Sequence, residues 1–151
     1  MCFRDTDAIA IAVEMERRGA ELYRRAAVLC TEERTHALLT ELGADEIVHQ
    51  RDFARLLEEV RDTDTAYSEE TGAFLSAVAA EIAFPEGLTE LLTGPGEILE
   101  TAIRSEKDSI LFYTELSQCA VNADARDTFR RIVMTERNHL ARLDRMLAQL
   151  G

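Results

Sequence analysis

The chain has 151 residues, enough to bury one core but short for two, and is expected to form a single domain over residues 1–151. With only two prolines, seven glycines and no tryptophan, the composition favours helix throughout, so the expected class is all-α. A formal net charge of −12 argues against nucleic acid or an anionic membrane as partner, since either would repel it; a solubilising acidic surface accounts for most of the excess.

No apolar run approaches the roughly twenty residues of a membrane span and no signal peptide is visible, so a cytoplasmic location is expected. Residues 6–30 read as a first helix, with Asp5 or Thr6 as its N-cap. Ile9, Val13, Glu16, Ala20, Tyr23 and Ala27 recur along it at the four-three spacing of a bundle-facing stripe. Glu16 therefore falls at a core position, where a carboxylate is costly unless paired or bound to a cation. Glu14 and Glu21 fall off the stripe and are expected in solvent.

A second helix, residues 33–61, carries Leu39, Leu42, Glu46, His49, Phe53, Leu56 and Val60 on one face, while His36 lies off it as a surface or helix-start residue. From 62 to 96 the pattern loosens. Asp62-Thr63-Asp64-Thr65 breaks the helix, residues 69–83 form a shorter one, and Phe84-Pro85-Glu86-Gly87 and Thr93-Gly94-Pro95-Gly96 are turn signals. The connector is too apolar for a disordered linker, and it is long enough to travel back along helices of roughly 40 Å. A third long helix, residues 97–120, presents Leu99, Ile103, Glu106, Ile110 and Tyr113; a fourth, residues 123–150, presents Phe129, Ile132, Glu136, His139, Leu143 and Met146.

The second half copies the first. A shift of ninety residues carries Glu16 onto Glu106, Tyr23 onto Tyr113, Glu46 onto Glu136 and His49 onto His139, defining a repeat of 8–58 on 98–148. A duplication that kept only packing would keep apolar character, yet the identities here fall mostly on residues that bind or orient a metal. Residues three apart share a helix face, so each Glu-x-x-His presents a carboxylate and an imidazole to one point. Glu16 and Glu46 lie about fifteen residues either side of the first turn, and Glu106 and Glu136 likewise bracket the second, so in antiparallel pairs all four sit level at mid-helix.

Packing the two hairpins face to face then gathers four glutamates and two histidines at one height, enough for two metals. A Glu from each of two helices plus Glu-x-x-His from each of the other two is the ligand pattern of dinuclear carboxylate sites in ferritin-like bundles. In the simplest arrangement Glu46 and Glu136 bridge while Glu16, Glu106, His49 and His139 cap. Such oxygen-rich ligands with one imidazole per metal suit iron first, then manganese, with zinc able to occupy the site without redox use. Tyr23 and Tyr113 follow a ligand glutamate by seven residues, two turns along the same face, and are expected to hydrogen-bond near the metals or relay a radical. Asp45 is placed to orient a ligand histidine, a role weakened by Thr135 at the equivalent position; the centre is otherwise expected to be nearly symmetric.

The stretches Ala12-Val13-Glu14-Met15-Glu16-Arg17-Arg18-Gly19-Ala20-Glu21-Leu22-Tyr23 and Ala102-Ile103-Arg104-Ser105-Glu106-Lys107-Asp108-Ser109-Ile110-Leu111-Phe112-Tyr113, with both Glu-x-x-His motifs, resemble the rubrerythrin branch of the ferritin-like superfamily over nearly the whole chain. The resemblance implies a ferritin-like four-helix bundle made of two helical hairpins joined by a long, partly helical crossover. It also implies a di-iron oxidoreductase acting on peroxide or dioxygen, often a homodimer. Two departures stand out. Cys2, Cys30 and Cys119 include no C-x-x-C pair, so the rubredoxin-like iron domain of full-length rubrerythrins is not encoded and electrons must come from an external donor protein or reductant. Ser109 stands where an additional glutamate is usual, one turn after Glu106. The same centre could instead serve as a ferroxidase feeding an iron store in a cage, or as a metal-bound sensor or structural bundle. Cys30 and Cys119, at opposite ends of antiparallel helices, are expected not to pair.

Overall fold

A computed structural model of the chain describes residues 3–60, 66–80 and 94–150. Among them run five helices: α1 (Asp5–Leu29), α2 (Glu33–Val60), α3 (Glu69–Ala80), α4 (Pro95–Cys119) and α5 (Ala123–Leu150). Cys2, Arg61, the breaker at 62–65, the expected end of the short helix at 81–83, the turn signal at 84–87 and Thr93 lie outside the described residues.

Helix ends show where local preference gave way to tertiary demand. Asp5 and Thr6 do not cap α1. Arg4 takes the N-cap position in extended conformation, and its N–H donates to the carboxylate of Asp7 three residues on, at 2.9 Å. Asp5 is drawn elsewhere: buried, it accepts the N–H groups of Val121 (3.0 Å) and Asn122 (2.8 Å) at the α4–α5 turn and the hydroxyl of Tyr67 from the connector. One carboxylate thus ties together the chain start, the connector and the second hairpin. The helix expected from residue 97 begins at Pro95, with Gly94 as N-cap, because proline at the first helical position forfeits no bond that the helix would have made. α5 starts where Asn122 Oδ1 accepts the N–H of Ala125 at 3.0 Å, and α2 starts where Glu32 accepts the N–H of Thr35 at 2.8 Å.

Every member of the α2 stripe is buried, as sequence periodicity requires. The buried face of α1 is wider than one stripe, adding Ala8, Ala12, Met15, Gly19, Leu22 and Ala26 while Val13 and Ala20 are only partly covered. A helix in a bundle touches two neighbours, so its apolar arc widens beyond a single seam. Ile110 and Met146 likewise sit half-buried at the rim. Off the stripe, Glu14 and Glu21 are partly exposed; Arg17 with Arg18, and Arg24 with Arg25, hold their carboxyls down to about 2.

α1 pairs with α2 and α4 with α5, each through a short turn. The apolar core is in two parts. One joins the first half of α1 (Ala8, Ile9, Met15), the second half of α2 (Phe53, Leu56, Val60), the second half of α4 (Phe112, Leu116) and the first half of α5 (Phe129, Ile132). The other joins the opposite ends through Leu22, Leu39, Leu42, Leu99 and Leu143. The start of α1 therefore packs with the end of α4, so the two run antiparallel, as a connector returning along the bundle demands. Each fully buried leucine or phenylalanine stabilises by about 1.5–3 kcal/mol. Cys30 belongs to one cluster and Cys119 flanks the other, and both are free thiols.

Candidate metal centre

Between the two apolar clusters lies a layer of buried charge. Glu16 comes from α1, Glu46 and His49 from α2, Glu106 from α4, and Glu136 and His139 from α5; none is more than 4% exposed. Their donor atoms form two groups. Glu16, Glu46, His49 and Glu136 each offer an atom within 4.8 Å of all the others, and so do Glu46, Glu106, Glu136 and His139. Glu46 and Glu136 belong to both groups, the position a bridging carboxylate would hold.

Seven buried atoms of these six residues have no hydrogen-bond partner: Glu16 Oε2, Glu46 Oε1, Glu106 Oε2, both oxygens of Glu136, and Nδ1 of His49 and of His139. Leaving one buried polar group unsatisfied costs about 1–3 kcal/mol, and native proteins carry few. Here they converge on one place. Nδ1 of His49 lies 3.0 Å from Glu136 and 3.6 Å from Glu16, and Nδ1 of His139 lies 3.2, 3.4 and 3.5 Å from Glu46, Glu136 and Glu106. These contacts are close but misaligned for hydrogen bonds, as lone pairs aimed at a shared third point would be. The two rings stand 6.1 Å apart, tilted by 18°. Carboxylate oxygens with one imidazole per group fit iron or manganese.

Without a cation, protons take up the strain. Burial, reinforced by neighbouring carboxylates, pushes Glu46 and Glu106 well above the usual range. Burial would also lower the imidazoles, but Glu136 and Glu16 outweigh it at His49, pushed up to about 10, and Glu106 and Glu136 outweigh it at His139, pushed up to about 11. Burial opposes the ionisation of Glu136, yet the combined pull of Glu106, His139 and His49 holds its carboxyl well below the ordinary value. Such a centre carries protons that a metal would displace.

The tyrosines act across the bundle. Tyr23 on α1 donates its hydroxyl to Glu106 Oε1 on α4 at 2.5 Å, and Tyr113 on α4 donates to Glu16 Oε1 on α1 at 2.8 Å. Because α1 and α4 run antiparallel, a residue two turns past one glutamate comes level with the other helix's glutamate. Each hydroxyl fixes one oxygen of its carboxylate and leaves the other, Glu16 Oε2 or Glu106 Oε2, as the orphan facing inward. At Gly43 the two helices of the first hairpin come close enough that a Cβ would lie 3.2 Å from Tyr23 Cβ, so the bare backbone there leaves room for Tyr23.

Three further positions complete the picture. Asp45 Oδ2 accepts from His139 Nε2 at 2.9 Å, a contact that the Asp45-Glu46 adjacency in sequence hints at but the repeat obscures. Ser109 is buried one turn after Glu106, and its hydroxyl donates to Ser105 O in its own helix at 3.0 Å. His36 is exposed, and its Nδ1 contacts Ala27 O near the end of α1 at 2.6 Å. The tyrosines are exchanged evenly between α1 and α4, and Asp45, the position already set apart by Thr135 in the repeat, contacts His139.

The family model described as Rubrerythrin matches residues 7–147. In fold the chain is similar to a crystallised protein of Thermotoga maritima described as ferritin-like and diiron-carboxylate, with a TM-score of 0.81 and 24% identity over 100% of this chain and 99% of that one. No curated protein matches.

Proposed function

The chain belongs to the rubrerythrin family, and from that premise we propose that Glu16, Glu46, His49, Glu106, Glu136 and His139 bind two metal ions, iron by preference, in a centre that reacts with peroxide or dioxygen. The observation that carries this reading is the pair of terminal glutamates, each tied by one oxygen to a tyrosine and left with the other unpartnered toward the interior. A surface or packing role would leave no such pattern. Iron held there would supply the redox couple. The chain's own residues do the rest: the four helices set the ligands at one height, Tyr23 and Tyr113 hold the terminal carboxylates in place, and the two apolar clusters exclude bulk water from above and below.

The three cysteines of these 151 residues include no C-x-x-C pair, so the electrons that would reset the centre come, in this proposal, from an external donor protein. Ser109, bonded within its own helix, offers no further carboxylate for an alternative oxidised geometry. We therefore expect one stoichiometric oxidation followed by a stall until reductant is supplied. Among the described residues no helix is long and apolar enough to cross a membrane; the proposed setting is a cytoplasmic homodimer.

The test is metal analysis followed by stopped-flow oxidation. Ferrous protein should hold two ions per chain about 3.5–4 Å apart, bleach or colour once with one equivalent of peroxide, and then wait for a donor. A crystal soaked in ferrous iron with these six side chains turned away from the ions would refute the ligand assignment. Sustained peroxide consumption by the isolated protein with no reductant present would refute the expected stall, and turnover with a generic flavin reductase at a rate unchanged by Ser109→Glu would show that the missing carboxylate sets no limit.

A further inference from the structure

The two halves of the centre differ in what stands behind their histidines. Under the ninety-residue shift Asp45 corresponds to Thr135. Asp45 Oδ2 stands 2.9 Å from Nε2 of His139, the ring nitrogen opposite the Nδ1 that faces the carboxylates. Thr135 does not return the contact: its hydroxyl turns back to Arg131 O, 3.4 Å away in its own helix. The contacts of His49 with carboxylates run through Nδ1, to Glu16 and Glu136, and no described residue hydrogen-bonds its Nε2.

We propose that the two metal positions are inequivalent, and that the one built on His139, Glu46, Glu106 and Glu136 binds its ion more tightly because Asp45 positions the His139 imidazole. This rests on the metal-binding reading above. A carboxylate at Nε2 holds a proton there, so the proton that an arriving ion displaces is the one on Nδ1, and it sets the ring plane before any ion arrives. It also makes the imidazole a better donor. His49 must find both tautomer and orientation when it binds. The other ligands do not distinguish the positions: each has one tyrosine-held terminal glutamate, one imidazole and a share of Glu46 and Glu136. Partners of this kind are worth about 10–100-fold in metal affinity. Because the Asp45 side chain is 42% exposed, solvent screens it, and the lower end of that range, roughly tenfold, is expected.

Asp45 is a positioning residue, so the test needs readouts that fold stability alone would not move. The full chain, stripped of metal, is titrated anaerobically with Co²⁺ and followed by its visible spectrum and by hyperfine-shifted proton resonances. Wild-type protein should fill in two steps about tenfold or more apart. The half-loaded form should show one shifted imidazole N–H resonance, held against exchange by Asp45. Asp45→Ala should bring the two steps together and lose that resonance, changes that a loss of fold stability alone would not produce. Thr135→Asp, which gives His49 a partner of its own, should tighten the weaker step and add a second resonance. Two Co²⁺ ions binding to wild-type protein with equal affinity, or an Asp45→Ala variant with both steps unchanged, would overturn this inference while leaving the metal-binding reading intact. No Co²⁺ bound at all would overturn both.

Discussion

Glu46→Gln should stabilise the metal-free chain and weaken the metal-loaded one, a reversal that few structural positions would give. Glu46 is 1% exposed, and burial together with the carboxylates of Glu16 and Glu136 raises it far above an ordinary glutamate. A raised value favours the protonated form in the folded chain at pH values where the unfolded chain has already released that proton. Each pH unit over which the folded chain holds a proton that the unfolded chain has released costs about 1.4 kcal/mol. Glutamine has the same shape and no proton to retain. Allowing for imperfect bonding of its amide, the net gain should be about 1–3 kcal/mol, or about 2–12 °C in Tm at about 2–4 °C per kcal/mol. The sign fixes a pH signature. A raised folded-state value means that the contribution of Glu46 is full below about pH 4.3 and is lost as pH rises, so the advantage of the variant should vanish near pH 4.3 and grow toward neutrality. With a metal in hundredfold excess over its Kd, wild-type protein should gain about 2.7 kcal/mol for each site filled, whereas the variant, missing a charge shared by both ligand groups, should gain much less. Thermal unfolding at pH 5, 6 and 7, in chelator and in excess Mn²⁺, measures all of this. A variant that melts below wild type in chelator at pH 7, or a difference that ignores pH, would show that Glu46 carries no forced proton.

Other substitutions probe the frame around the centre. Asp5→Ala strands the N–H groups of Val121 and Asn122 and the hydroxyl of Tyr67, and should cost about 3–5 kcal/mol by urea unfolding, against about 1 kcal/mol for Tyr67→Phe; metal stoichiometry should survive both. Gly43→Val puts branched methyls where a Cβ already meets Tyr23 at 3.2 Å and should cost about 1–3 kcal/mol, while Gly43→Ala should be milder because alanine recovers up to about 1 kcal/mol of helix propensity. Cys30 and Cys119 sit at opposite ends with thiols raised by burial, so mass spectrometry of oxidised monomer should find no bridge between them and alkylation at neutral pH should be slow.

The six ligand candidates were legible in the sequence because each is an anomaly of the same kind: a charged or polar residue on a stripe that otherwise reads as core, met again ninety residues later. Periodicity says which face of a helix a residue occupies, and the structure buries all six. It does not say which neighbour that face meets. Tyr23 could be placed near a glutamate but not assigned to Glu106 on α4, since that depends on α1 and α4 running antiparallel at matched height. Asp5 escaped for a related reason: aspartate near a helix start reads as a cap, and only the position of the α4–α5 turn shows that its carboxylate serves a different helix.

Asp45 is hidden by the same symmetry that marks the others. Identity between two halves of a duplication marks what they share, here the ligand candidates and the tyrosines. A residue that makes one half different from the other carries no such mark, although only residues of that kind could tell two bound metals apart. Glu46 and Glu136 sit in both ligand groups, and the tyrosines are exchanged evenly between α1 and α4. In the proposed two-metal reading any division of labour between the positions comes from outside that shared set, and the 2.9 Å contact of Asp45 with His139 gives one imidazole a carboxylate partner that His49 lacks.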